Sequence, residues 1–192
     1  MKKTFLILST IALSAGFISA QTSQVPEFKN TPMLLKSDGS LGKLEKQTAA
    51  IKDKGGSNGF ANAYSFGKTS GSIQYINCIG ASSDVTVPTT ATFIVKLNDA
   101  ETDPDGTFIL TEAVVVKNNR EVYIRKDYGR NVQEKQITLK YEKVEPGVYK
   151  IMPDHLNPGT EYCFVPNTPD ASKVVNLFKT EGTASKGKKN KK

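Results

Sequence analysis

Beyond Ile73 the apolar residues of this chain recur mostly at every second position, the period of a strand with one buried face. Residues 73–78 predict one strand and residues 92–97 another, with Phe93, Val95 and Leu97 on a common side. Residues 108–117 and 120–126 predict two more, joined at Asn118-Asn119, a dipeptide that tolerates the left-handed backbone of a tight hairpin. Farther on, Ile137, Leu139 and Tyr141 alternate with Thr138, Lys140 and Glu142. Pro146-Gly147 then offers the central residues of a type II turn, Pro fixing φ and Gly taking a positive φ, before residues 148–152 return. Residues 161–165 and 174–180 complete the set. About eight or nine short strands separated by turn signals predict an all-β fold, an antiparallel β-sandwich.

The earlier part of the chain is less regular. Met33-Leu34-Leu35 is its first apolar run, and Ser37-Asp38-Gly39-Ser40 reads as a turn. Leu41, Leu44, Thr48 and Ile51 fall at a spacing that predicts one short N-terminal helix, ended by Gly55-Gly56. Leu44, Lys46, Thr48 and Ala50 also allow an extended strand there. Residues 55–72 are rich in Gly, Ser and Asn, with Phe60, Tyr64 and Phe66 spaced through them, and read as a long loop.

The two ends carry a different composition. Lys2 and Lys3 precede an apolar stretch over residues 5–18, and Ile18-Ser19-Ala20 has the residue sizes a signal peptidase accepts. Residues 1–20 are thus expected to be a cleavable signal peptide, cut after Ala20, which places the mature chain in a periplasm or outside the cell. That stretch is too short and too polar for a spanning helix, which takes about 20 apolar residues, and no later segment is a candidate. Lys186, Lys188, Lys189, Lys191 and Lys192 form a tail with nothing to bury, so residues 186–192 are expected to be disordered. Without Lys2, Lys3 and these five, the 26 Lys+Arg fall to the number of Asp+Glu, 19. Residues 21–185, read as a single β-sandwich domain, are therefore neutral, which argues against nucleic acid as a partner.

The run His155-Leu156-Asn157-Pro158-Gly159-Thr160-Glu161-Tyr162-Cys163-Phe164 resembles the corner before the penultimate strand of fibronectin type III and related immunoglobulin-like domains. The resemblance implies an immunoglobulin-like sandwich in which the Tyr162 hydroxyl ties back to nearby backbone, Pro158 and Gly159 set the turn, and Leu156 plugs the end of the core. Together with the Asn30 to Leu35 opening, Asn-Thr-Pro-Met-Leu-Leu, the same hairpin is similar to uncharacterised secreted bacterial β-sandwich proteins. That likeness implies a fold and a compartment but no activity.

Candidate chemistry is sparse. Cys78 and Cys163 could pair in an oxidising compartment. If Tyr162 and Phe164 face the core, Cys163 faces the other side of its sheet, so a bridge would join outer strand faces or reach a loop. Glu101, Asp103, Asp105, Gly106 and Glu112 share the register of a calcium-binding loop. Pro104 and the strand-like flanks favour instead an Asp-Pro-Asp-Gly turn. His155, the one histidine, has no acid or nucleophile placed beside it by any motif. Gly67-Lys68-Thr69-Ser70 lacks the preceding glycine of a phosphate loop. Arg120, Arg125 and Arg130 interleave with Tyr123 and Tyr128; if Val122 and Ile124 face the core, Tyr123 and Arg125 face out, as an interface or as ordinary cross-strand pairs on a solvated face. No catalytic, cofactor or metal site is assigned. The expectation is a secreted, non-catalytic binding or structural module of the cell envelope, with a protein or an envelope polysaccharide as partner. A carboxylate-based hydrolase and a calcium-binding adhesion module are the alternatives.

Overall fold

The computed structural model describes residues 25–54, 73–126 and 135–183. Residues 1–24, residues 55–72 with their aromatics and Gly67-Lys68-Thr69-Ser70, Tyr128, Arg130, the Arg125 side chain and residues 184–192 lie outside the described residues.

Period-two patterning builds strands throughout. In chain order they are β1 (Met33–Leu35), β2 (Leu41–Gly42), β3 (Glu45–Lys54), β4 (Ile73–Ile79), β5 (Thr86–Val87), β6 (Thr92–Lys96) and β7 (Phe108–Glu112). Then follow β8 (Val114–Val116), β9 (Asn119–Lys126), β10 (Gln136–Ile137), β11 (Leu139–Glu145), β12 (Val148–Pro153), β13 (Glu161–Pro166) and β14 (Ser172–Thr180). The smaller sheet runs β11-β12-β6-β1-β2, and the larger runs β10-β7-β13-β14-β3-β4-β9-β8, with β5 added in parallel to β14. All other pairings are antiparallel. The all-β, antiparallel, sandwich-like fold expected from the sequence is the fold observed.

The expected helix is absent, and β2 and β3 occupy its place. Spacing at 41, 44, 48 and 51 fits a helix, but β3 pairs with β14 on one side and with β4 on the other. Two ladders of backbone hydrogen bonds outweigh a weak local periodicity. The hairpin expected at Asn118-Asn119 turns one residue earlier. Val116 lies opposite Asn119, and Lys117 takes the positive φ of 56°. The expected 145–148 turn is present, with Gly147 at φ 74° and its Cα facing the Ala100 backbone closely enough that a Cβ would approach within 3.2 Å.

The expected single strand over 108–117 is two, bent at Ala113. There the chain leaves its ladder with β13, through the bond from Ala113 N–H to the Glu161 carbonyl (2.8 Å), and begins one with β9. The same stretch of chain therefore lies next to β10 at one end of the larger sheet and forms the edge strand β8 at the other, and the sheet curls round on itself. The curl gives β13 and β14 two apolar faces. Phe108, Leu110, Tyr162, Phe164 and Phe178 look toward the smaller sheet and meet Phe93, Val95, Tyr149 and Ile151 in the main core. Phe93 packs edge-on to Phe164 at 5.0 Å between ring centroids, and Tyr162 stacks on Phe178 at 5.5 Å. Residues of opposite parity, Ile76, Cys78, Ala113, Val122, Cys163, Val165, Val175 and Leu177, fill a second core inside the curl.

At the corner, the Tyr162 ring is fully buried and its hydroxyl oxygen accepts a hydrogen bond from Asn157 N–H at 2.8 Å. Leu156 is buried in the main core, and Gly159 supplies the positive φ of 64°. Thr180 Oγ1 locks the turn, accepting from Thr160 N–H at 2.9 Å and donating to the Asn157 carbonyl. Tyr162→Phe leaves the Asn157 N–H without its partner and is expected to lower unfolding free energy by roughly 1–2 kcal/mol. Leu156→Ala opens a cavity and should cost about 2–5 kcal/mol. Urea unfolding followed by circular dichroism measures both, and a Tyr162→Phe midpoint equal to the parent's contradicts the assignment.

Candidate functional site

Two places gather polar chemistry. The first is a groove of about 620 Å³ at one end of the smaller sheet. Its floor is apolar, from Leu34 and Leu35 of β1 and Met152 of β12. The β1–β2 turn brings Lys36 and Ser37, and the β5–β6 turn brings Pro88, Thr90 and Ala91. Thr92, Glu142 and Lys150 complete the lining. Alternation explains the mixture: Tyr149 and Ile151 point into the core, so Lys150 and Met152 point out. Lys150 Nζ lies 3.4 Å from Glu142 Oε1 across the β11–β12 ladder, so the groove carboxylate is half-neutralised where it stands. Apolar floor, hydroxyl rim and two ammonium groups suit an extended polar chain with carboxylates on it.

The second place closes one end of the curl. Arg120 shares the inward face of β9 with Val122, and its side chain is fully buried. A guanidinium needs acceptors for all its donors once water is gone. Nη2 meets Glu45 Oε1 at 2.6 Å and the Ile79 carbonyl at 2.9 Å. Nη1 meets Glu45 Oε2 at 3.0 Å and Glu161 Oε2 at 3.4 Å, and Nε meets the Gly80 carbonyl at 2.9 Å. Glu161 in turn accepts from Ser82 Oγ (2.8 Å) and Ser83 N–H (3.0 Å). Gln47 clasps Ile79 from both sides, at 2.9 Å each way. Burial would raise the Glu45 pKa, but hydrogen bonds from Arg120, Ser83 and Gln47 outweigh it and hold the carboxyl below the ordinary range.

The two cysteines lie just inside this plug. Both are free and fully buried in the second core. The expectation that Cys163 faces away from the main core holds, but that face is not an outer one, because the curl encloses it.

The other residues marked in the sequence are scattered. Asp103 Oδ1 accepts from Asp105 N–H at 3.0 Å, Thr107 N–H bonds the Pro104 carbonyl at 3.1 Å, and Gly106 takes φ 76°. This is the Asp-Pro-Asp-Gly turn, closed by its own bonds. Glu112 lies apart on β7, accepting from Asn157 Nδ2 at 3.1 Å and facing Lys135 at 3.6 Å. Among the described residues, no three His, Cys, Asp or Glu side chains converge as metal ligands. Beside the turn, Tyr141 has a buried hydroxyl without a hydrogen-bond partner, and burial with the nearby Asp105 and Asp103 charges pushes its pKa up to about 12. His155 is exposed next to Asp154, at 3.8 Å, while Cys163 lies in the buried second core.

The buried role of Arg120 is one that sequence reasoning did not assign. The available signal was parity, since 120, 122 and 124 share a face and Val122 and Ile124 belong inside. The groove left no local signal, being assembled from β1, two turns and a hairpin far apart in the chain.

No family model, no curated protein and no solved structure matches this chain.

Arg120→Leu leaves Glu45 and Glu161 without their cation and is expected to destabilise by about 3–5 kcal/mol. Because the Glu45 pKa is depressed in the folded state, its contribution is present above the unfolded value, near 4.5, and is lost as pH falls through the folded one. Urea midpoints taken from about pH 6 down to about pH 3 should drop more steeply for the parent than for Glu45→Gln. Parallel curves would show that Glu45 contributes nothing to the acid limb.

Proposed function

We propose that this chain is an exported, non-catalytic binding module of the cell envelope, and that the groove at the end of the smaller sheet takes its ligand. The observation that carries the reading is the groove itself, with Lys36 and Lys150 standing over Leu35 and Met152. Such a site favours a carboxylate-bearing chain, an acidic peptide segment or a uronic-acid polysaccharide, whose backbone lies on the apolar floor. The leader pattern over residues 1–20 supports export. Neutrality of residues 21–185 supports selective contact over diffuse adsorption to polyanions such as nucleic acid. The groove carboxylate Glu142 is paired with Lys150, which supports binding over hydrolysis, where a second carboxyl at about 5–10 Å would face it. No helix among the described residues is long and apolar enough to cross a membrane.

Titration of the mature chain with oligogalacturonate and with an acidic peptide, followed by NMR, tests the reading. Amide shifts at residues 34–37, 88–92 and 150–152 are expected with one of the two. Lys36→Glu should weaken that binding roughly tenfold or more, the size of one lost charge-assisted contact. Silence with both probes removes the groove as the site. Release of new reducing ends or peptide amines would make the chain an enzyme instead.

A further inference from the structure

The geometry points to Cys78 and Cys163 as an intramolecular dithiol–disulfide site that staples the curled sheet shut. Cys78 lies on β4 and Cys163 on β13, and β14 and β3 stand between those strands in the sheet. The two side chains share the second core only because the sheet curls far enough to bring β4 across from β13. Both sulfurs lie in that core, where the Cys163 thiol donates to the Phe164 carbonyl at 3.7 Å. A bond between them would thus cross the interior and tie together walls that the backbone ladder joins only by way of two other strands. It would also close the long loop of chain from 79 to 162, the kind of closure that most restricts an unfolded chain.

The two thiols are not equivalent. The neighbouring Cys163 thiol, with the Arg120 charge, favours the Cys78 thiolate and lowers its pKa, whereas burial pushes Cys163 well up. These effects belong to the closed fold; while the curl is open either sulfur can attack first, Cys78 for instance. Its thiolate displaces one thiolate from a small-molecule or protein disulfide and forms a mixed disulfide. Cys163 then loses its proton and attacks the Cys78 sulfur, expelling the second thiolate. One Sγ–Sγ bond is made, two protons leave the protein, and the oxidant is reduced to two thiols. Both sulfurs are fully buried in the finished fold, so the exchange takes place while the curl is still open. None of this depends on the groove or its ligand.

The test is refolding of the mature chain with glutathione disulfide or with excess reductant, then denaturation, alkylation and mass spectrometry. After oxidising refolding the protein should be lighter by two hydrogens, resist alkylation, and yield one peptide pair joining Cys78 to Cys163. Its melting temperature should exceed that of the reduced protein by roughly 10 °C, and Cys163→Ala should melt alike from both refolding buffers. If both cysteines of the oxidised sample alkylate fully, or if the only bridge links two chains, the proposal is wrong. The mass measurement on the parent decides even if Cys163→Ala fails to fold.

Discussion

A guanidinium carried out of water must find an acceptor for each donor or the fold does not form, and Arg120 finds them on three separate stretches of chain. Glu45 belongs to β3, Glu161 to β13, and the Ile79 and Gly80 carbonyls to the end of β4 and the loop after it, while Arg120 itself sits on β9. Only the curled arrangement brings these together. The pair with Glu45 is bidentate, which fixes orientation as well as position. A flat sheet of the same strands would strand the cation against apolar neighbours, at a cost no ordinary surface contact offsets.

From that plug the interior grades quickly from ionic to apolar. Glu161, Cys163 and Val165 follow one another along the inward face of β13, as Glu45, Gln47, Ala49 and Ile51 do along β3. The second core is thus capped by charge at one end and dry beyond it, while the aromatic core between the sheets holds the outer face of the same strands. One segment, β13, serves both: Tyr162 and Phe164 pack one way, Cys163 and Val165 the other. The groove borders the main core at Ala91 and Leu34, but its outward Lys150 and Met152 can be changed without disturbing Tyr149 and Ile151 beneath them.

What could be read in the sequence was whatever a strand reports about itself. The alternation at 92–97, 137–142 and 148–152 names the strands, and Pro146-Gly147 names a turn. Leu156 through Tyr162 spells a corner whose hydrogen bond to Asn157 is present. Illegible was whatever depends on which strand lies beside which. Residues 41–51 carry a spacing that suits a helix, and only the neighbours β14 and β4 make a strand of them. The inward turn of Arg120 was written in its parity with Val122, but a charged residue reads as exposed until its partners are known, and Glu45 and Glu161 are distant in the chain. The groove is the extreme case, because its walls come from three segments, 34–37, 88–92 and 142–152, far apart in sequence.

The bend at Ala113 has a further consequence. A stretch that pairs with β13 on its first half and with β9 on its second lies near both ends of the larger sheet, which stops at β8 on one side and, beyond β7, at the two-residue β10 on the other. The borders left on the smaller sheet are β2, of two residues, and β11, which presents Lys140, Glu142, Lys143 and Glu145. Short or charged borders are poor templates for a foreign strand. A chain so rich in β structure is thereby protected from stacking onto copies of itself, a hazard that would be sharpest wherever the protein is concentrated on a surface.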